Sequence, residues 1–170
     1  MKQTFFSIAF VALFAALLTS SCNKLGQICF DFAQNTTIST NAVTAAGPVT
    51  STKSLGTGLN DQLTSKGINV SNVNSVTVNA ITITIPSSAG YTFDDISAAE
   101  VLVNTTSLGK LPTTATGLSA TFSAPSTVDL KSTFLSSTGA TLTFNATFKK
   151  AVAASTINVQ IPLNTCYQVL

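Results

Sequence analysis

Residues 141–148, Thr-Leu-Thr-Phe-Asn-Ala-Thr-Phe, alternate polar and apolar side chains without a break. A repeat of two sends successive side chains to opposite faces of an extended chain, whereas a helix needs apolar residues three and four positions apart. Leu142, Phe144, Ala146 and Phe148 therefore read as the buried face of a strand, with Thr141, Thr143, Asn145 and Thr147 on its wet face. The pattern continues downstream at Ile157, Val159 and Ile161. Far upstream, Ile28, Phe30 and Phe32 alternate with Cys29, Asp31 and Ala33 in the same way. In the middle of the chain, Val76, Val78 and Ala80 share one parity and Ile81, Ile83 and Ile85 the other, so the buried face switches near Ala80. A bulge or a crossing between sheets explains such a switch. Pro86 lacks a backbone donor and ends the run. Further strands are expected around Glu100 to Asn104 and Leu118 to Ser123.

Short strands with Gly, Asn, Ser and Pro between them predict an all-β, antiparallel β-sandwich in one domain over residues 28–170. One short helix is expected at about residues 58–66, where Leu59 and Leu63 lie four apart, Asp61 stands in the first turn and Lys66 in the last. Gly67 and Ile68 read as its left-handed cap and apolar clasp. Val128, Leu130, Phe134 and Leu135 fit a strand or a single helical turn equally well.

The amino terminus carries a different signal. Lys2 precedes an apolar run from Phe5 to Leu18, followed by Thr19, Ser20, Ser21 and Cys22. A basic start, a short greasy segment and small residues before a cut describe a secretory signal peptide, and the run is shorter than the roughly 20 residues that span a bilayer. The expectation is a signal over residues 1–21 that is removed. Leu18-Thr19-Ser20-Ser21-Cys22 resembles the lipobox of bacterial lipoproteins, with Thr19 where a leucine is commonest and Leu18 one place further back. The resemblance implies a diacylglyceryl group on the Cys22 thiol and cleavage just before it. An ordinary secretory cut near Ser21, leaving a free thiol, is the alternative. Residues 22–27 would form the lipidated cysteine and a tether reaching roughly 15–20 Å at about 3.3–3.6 Å per residue. Two acyl chains suffice for stable anchoring. The expected location is the bacterial cell envelope, on the outer membrane.

Three cysteines in an oxidising compartment leave one over, and lipidation of Cys22 would consume it. Cys29 and Cys166 then remain, either as a disulfide or as two buried thiols. A bond between them would close a loop long enough for a chain-entropy contribution of about 5 kcal/mol.

Composition removes much chemistry. The chain has no histidine, no tryptophan and no arginine, and 8% of its residues are charged against an average near 25%. Without histidine there is no Ser-His-Asp relay and no imidazole metal site. Without arginine the bidentate recognition of phosphate is missing, and without a basic face nucleic acid is not an expected partner. No cofactor is implied and a non-enzymatic role is expected. Asp94 and Asp95, with Glu100 nearby and Asp129 brought close by folding, have the oxygen chemistry for Ca²⁺. The competing reading has Phe93 and Ile96 plugging the core while the two aspartates cap the following turn. Thr82, Thr84, Thr141, Thr143 and Thr147 could form hydroxyl ladders suited to a sugar, ice or another protein, or simply be the polar face of a sheet.

The end of the signal, LLTSSCNK, and the stretch from Val73 to Val103, in which VNSVTVNAITITIP leads into GYTFDDISAAEVLV, resemble the small β-sandwich lipoproteins of unknown function common in the Bacteroidetes. That resemblance implies an immunoglobulin-like or jelly-roll-like architecture and carries over no functional residues. Together these readings point to a lipid-anchored envelope protein whose sandwich binds a protein or glycan or supports an envelope assembly. The alternatives are a structural subunit that polymerises by strand addition and a hydrolase working with carboxylates alone.

Overall fold

The computed structural model describes residues 26–56, 58–136 and 138–169, apart from the side chains of Pro125 and Ser126. The expected signal peptide, Cys22 and the greater part of the tether lie outside the described residues. Eight strands make up the domain: β1 (Gln27–Thr40), β2 (Gly47–Gly56), β3 (Val73–Thr84), β4 (Ile96–Val103), β5 (Thr106–Lys110), β6 (Ser119–Asp129), β7 (Ala140–Phe148) and β8 (Ser155–Gln168). They form two four-stranded antiparallel sheets, in the orders β1-β8-β3-β6 and β2-β7-β4-β5. The first strand pairs with the last, the second with the seventh, the third with the sixth and the fourth with the fifth. The chain is thus one long hairpin rolled up so that its turns cross from sheet to sheet, which is the jelly-roll arrangement. Of the two architectures expected, the strand order selects this one over the immunoglobulin-like order.

The alternating residues meet between the sheets. Leu142, Phe144, Ala146 and Phe148 of β7 are all buried, facing Ile157, Val159 and Ile161 of β8 and Val76, Val78, Ile81 and Ile83 of β3. Phe122 of β6 spans the layers, its ring centroid 6.3 Å from that of Phe144 in an edge-to-face contact and 6.2 Å from that of Phe93. Each such fully buried side chain contributes about 1.5–3 kcal/mol relative to leaving it in water.

The change of buried face along β3 coincides with breaks in its ladders. Against β8 the register shifts between Thr77 and Thr82, and against β6 between Val78 and Ala80, where residues 124–127 have no partner on β3. An extra residue reverses the inward parity, so both apolar sets can face the core. The same gap accommodates Pro162 inside the central strand β8, at a place where the ladder to β3 is already interrupted.

Helix α1 (Gly58–Ser65) forms where expected and stops one residue earlier, with Leu59 and Leu63 buried. Gly67 at φ +71° caps it: its amide donates to the Thr64 carbonyl at 2.9 Å, and that of Ile68 to the Leu63 carbonyl at 2.9 Å. This is the reciprocal cap that a left-handed glycine permits. The stretch left open between strand and helix becomes α2 (Lys131–Phe134), a single turn that buries Phe134. Along one side of the sandwich β5 passes close over β6; a β carbon built on Gly109 would lie 2.6 Å from the Ser123 carbonyl oxygen. Along the other, Gln34 Nε2 of β1 donates to the Leu55 carbonyl of β2 at 3.1 Å. No helix among the described residues is long and apolar enough to cross a membrane.

One end departs from the simple alternation. Phe32 is buried and Phe30 half-buried, but Ile28, on the same parity, is exposed. Beside it Cys29 and Cys166 stand directly opposite in the β1–β8 register and form a disulfide across 137 positions of sequence. Replacing both cysteines by serine should lower the urea midpoint by an amount equivalent to at most about 5 kcal/mol, with the strand signal in circular dichroism retained. An unchanged midpoint would show that β1 is held to β8 by its ladder and packing alone.

Candidate functional site

The strands of the β1-β8-β3-β6 sheet contain no lysine, and Asp31 and Asp129 are their only charged residues. Its outer face is instead ruled by hydrogen-bonding side chains that fall into register across all four strands. One row runs Thr37, Asn158, Thr84, Ser119 and the next runs Asn35, Gln160, Thr82, Thr121. Thr82 and Thr84 are half-buried and the other six are exposed. Neighbouring strands lie about 4.8 Å apart and alternate residues about 6.7 Å apart along a strand, so these groups form a rectangular grid. Asn35, Thr37, Thr82, Thr84, Asn158 and Gln160 line a shallow depression on it. Every one of them carries both donor and acceptor capacity and none carries charge. Such a surface can bind a neutral partner rich in hydroxyls or amides, with little dependence on salt.

The five threonines of the expected ladders do not share one surface. Thr82 and Thr84 belong to this grid, while Thr141, Thr143 and Thr147 lie on β7 in the opposite sheet. There the row Thr50, Asn145, Glu100, Lys110 is charged at one end, and Thr50 Oγ1 donates to Asn145 Oδ1 at 2.8 Å. The sequence marks Asn35 and Thr37 only as an Asn-Thr-Thr triplet of the N-glycosylation pattern and does not mark Asn158 or Gln160. Their signal was present as the polar parity of β1 and β8, but nothing local shows which polar positions align across strands distant in sequence.

Asp94 and Asp95 are occupied with holding a turn. Asp94 Oδ2 accepts from the Gly117 amide at 2.9 Å and from Thr92 Oγ1 at 3.0 Å. Asp95 Oδ2 accepts from the Thr92 amide at 3.0 Å, completing a capping box, and its Oδ1 lies 2.9 Å from Lys150 Nζ. Phe93 and Ile96 on either side are buried, as the capping reading required. Glu100 accepts from Ser107 Oγ at 2.6 Å, and Asp129 Oδ1 accepts from the Val76 and Lys131 amides at 3.1 and 2.9 Å. Asp94 and Asp95 thus share one network around Thr92, while Glu100 and Asp129 serve two others. Among the described residues no three His, Cys, Asp or Glu side chains gather as a metal site, so no third carboxylate joins Asp94 and Asp95. The sulfurs of Cys29 and Cys166 are taken up in their disulfide.

The sequence matches no protein-family model and no curated protein. Ten chains of solved structures match. Among them is one from Desmodium yellow mottle tymovirus, 10% identical, with 84% of this chain and 90% of that chain covered at a TM-score of 0.28, a score too low to carry any argument.

The acidic turn gives a pH dependence of known sign. The Gly117 amide and the Thr92 hydroxyl hold the Asp94 carboxyl below its ordinary 3.8, and the Lys150 ammonium does the same for Asp95. A depressed carboxyl contributes stability above its unfolded value, and that contribution is lost as pH falls through the folded value. The urea midpoint should therefore drop as pH falls below 3.8. In the D94N/D95N variant this part of the slope should flatten, and stability at neutral pH should be lower. An acid limb of equal slope in variant and parent would show that other groups govern it.

Proposed function

We propose that this protein is a non-enzymatic lipoprotein of the bacterial outer membrane, anchored through Cys22, that presents the outer face of the β1-β8-β3-β6 sheet to a neutral glycan or to another envelope protein. The observation that carries the binding role is the pair of uncharged rows, Thr37-Asn158-Thr84-Ser119 and Asn35-Gln160-Thr82-Thr121, running across the whole sheet. The anchor is supported by the lipobox-like end of the signal and by the pairing of Cys29 with Cys166, which leaves Cys22 as the odd cysteine. A disulfide suits an oxidising envelope compartment. The jelly roll itself says nothing of function, since the fold serves many.

Two measurements test the two halves of this reading. Cys22→Ala should release the protein from the membrane fraction to the soluble fraction; a variant that stays with the membrane rules out the lipid anchor. For the face, cells carrying the lipidated N158K/Q160K variant should yield the crosslinked envelope partner, or retain neutral cell-surface polysaccharide, roughly thirtyfold less than the parent, because the two hydrogen bonds lost contribute about 1 kcal/mol each. Equal recovery, with an unchanged melting temperature, would remove the grid as the binding face.

A further inference from the structure

Three large apolar side chains are exposed among the described residues, and two of them, Ile28 at 43% and Val169 at 46%, lie together at one end of the β1–β8 pair. Ile28 is directly opposite Tyr167, and the Val169 amide donates to the Gly26 carbonyl just beyond. Side chains opposite one another across an antiparallel pair, and those two apart along a strand, point to the same face. Ile28, Phe30, Tyr167 and Val169 therefore share the inward face, which here runs past the part of the sandwich that covers it. Phe30 and Tyr167 are half-buried and stacked, with ring centroids 5.6 Å apart. No residue of this face from Gly26 to Phe30 or from Thr165 to Val169 is charged. The third exposed side chain, Leu118 at 38%, precedes Ser119, which pairs with Thr84 at the far end of the sheet.

We propose that this apolar ledge is a membrane-contact surface that seats the domain in the interfacial layer of the bilayer carrying its lipid. The inference rests on the Cys22 anchor proposed above. Gly26, the first described residue, is part of the ledge's end, and only four residue steps separate it from Cys22. At about 3.3–3.6 Å per step the acyl chains are held within roughly 15 Å of the ledge. At that distance an exposed apolar edge meets lipid before it meets any other partner. An uncharged aliphatic pair beside a tyrosine whose ring is apolar and whose hydroxyl is polar matches the chemistry of the headgroup boundary, into which apolar faces sink about 5–10 Å. The domain would then stand on this end, with the β strands rising from the membrane and the polar grid on a flank that faces sideways and outward.

The absence of tryptophan makes the test direct, because a single introduced indole is the only one in the molecule. The mature lipidated protein, as V169W, I28W or L118W, is reconstituted into phosphatidylethanolamine–phosphatidylglycerol vesicles containing brominated phosphatidylcholine. Emission from V169W and I28W should shift to the blue and be quenched by the brominated lipid at least about twofold more than that from L118W, as expected of a ring at interfacial depth. Quenching no greater than in L118W, in protein that floats with the vesicles, overturns the ledge and leaves the anchor standing. Indoles shielded from both brominated lipid and aqueous iodide overturn it too, and identify another part of the chain or a second copy as the cover. If no variant floats and mass spectrometry finds no acyl group on Cys22, the anchor itself falls and the ledge with it.

Discussion

β8 lies between β1 and β3, so the last strand of the chain must be in place before the first strand has a sheet to join. Fourteen register pairs hold β1 against β8, from Gln27 with Gln168 to Thr40 with Ser155, and the Cys29–Cys166 disulfide pins that ladder near its open end. At the other end the Tyr91 hydroxyl lies 2.7 Å from Ser155 Oγ and Thr40 Oγ1 lies 2.9 Å from the same oxygen, a buried knot of three hydroxyls. Much else depends on this pairing. It closes the roll, brings the two ends of the domain together, and creates the face on which Asn35, Thr37, Asn158 and Gln160 align. Such closure must overcome the entropy of nearly the whole chain, since the two strands are the most distant in sequence.

The two sheets then divide the surface into chemically different halves. Lys53, Glu100 and Lys110 belong to the β2-β7-β4-β5 sheet, whereas the strands of the β1-β8-β3-β6 sheet carry only two acids and no base. Some charged residues outside the β1-β8-β3-β6 sheet are used locally, as in the Thr92–Asp95 capping box with its Lys150 partner. Lacking histidine, the chain has no side chain whose ordinary pKa lies near 6.5. Two proposed surfaces sit at different places on one fold: an apolar ledge where β1 begins and an uncharged face along β1, β8, β3 and β6.

The strands were legible because burial on one side of a sheet imposes a period of two, and Leu142-Phe144-Ala146-Phe148 follows it without exception. The switch of buried face in β3 was legible for the same reason, and of its two explanations, a bulge or a crossing between sheets, the register shifts select the bulge. Helix α1 was legible from its cap, where Gly67 must take a positive φ. Less was visible at the margins. Ile28 has the parity of a core residue but lies where no strand of the facing sheet covers it, and periodicity describes only the direction of a side chain, not what lies opposite. The region from Leu130 to Leu135, which fitted a strand and a helical turn equally well, became a single turn that buries Phe134. The capping role of Asp94 and Asp95 was legible, but not the partners, Gly117 and Lys150, that other loops bring to them.

By itself the sequence determined that the domain would be an antiparallel sandwich and which residues would line most of its core. These follow from local rules, side-chain alternation and capping. The order of the strands, the choice of jelly roll, the contact of Cys29 with Cys166 and the alignment of polar residues into rows were decided only in the tertiary structure. Each depends on which distant strands become neighbours, and that is set by closing the roll as a whole rather than by any stretch of chain read alone.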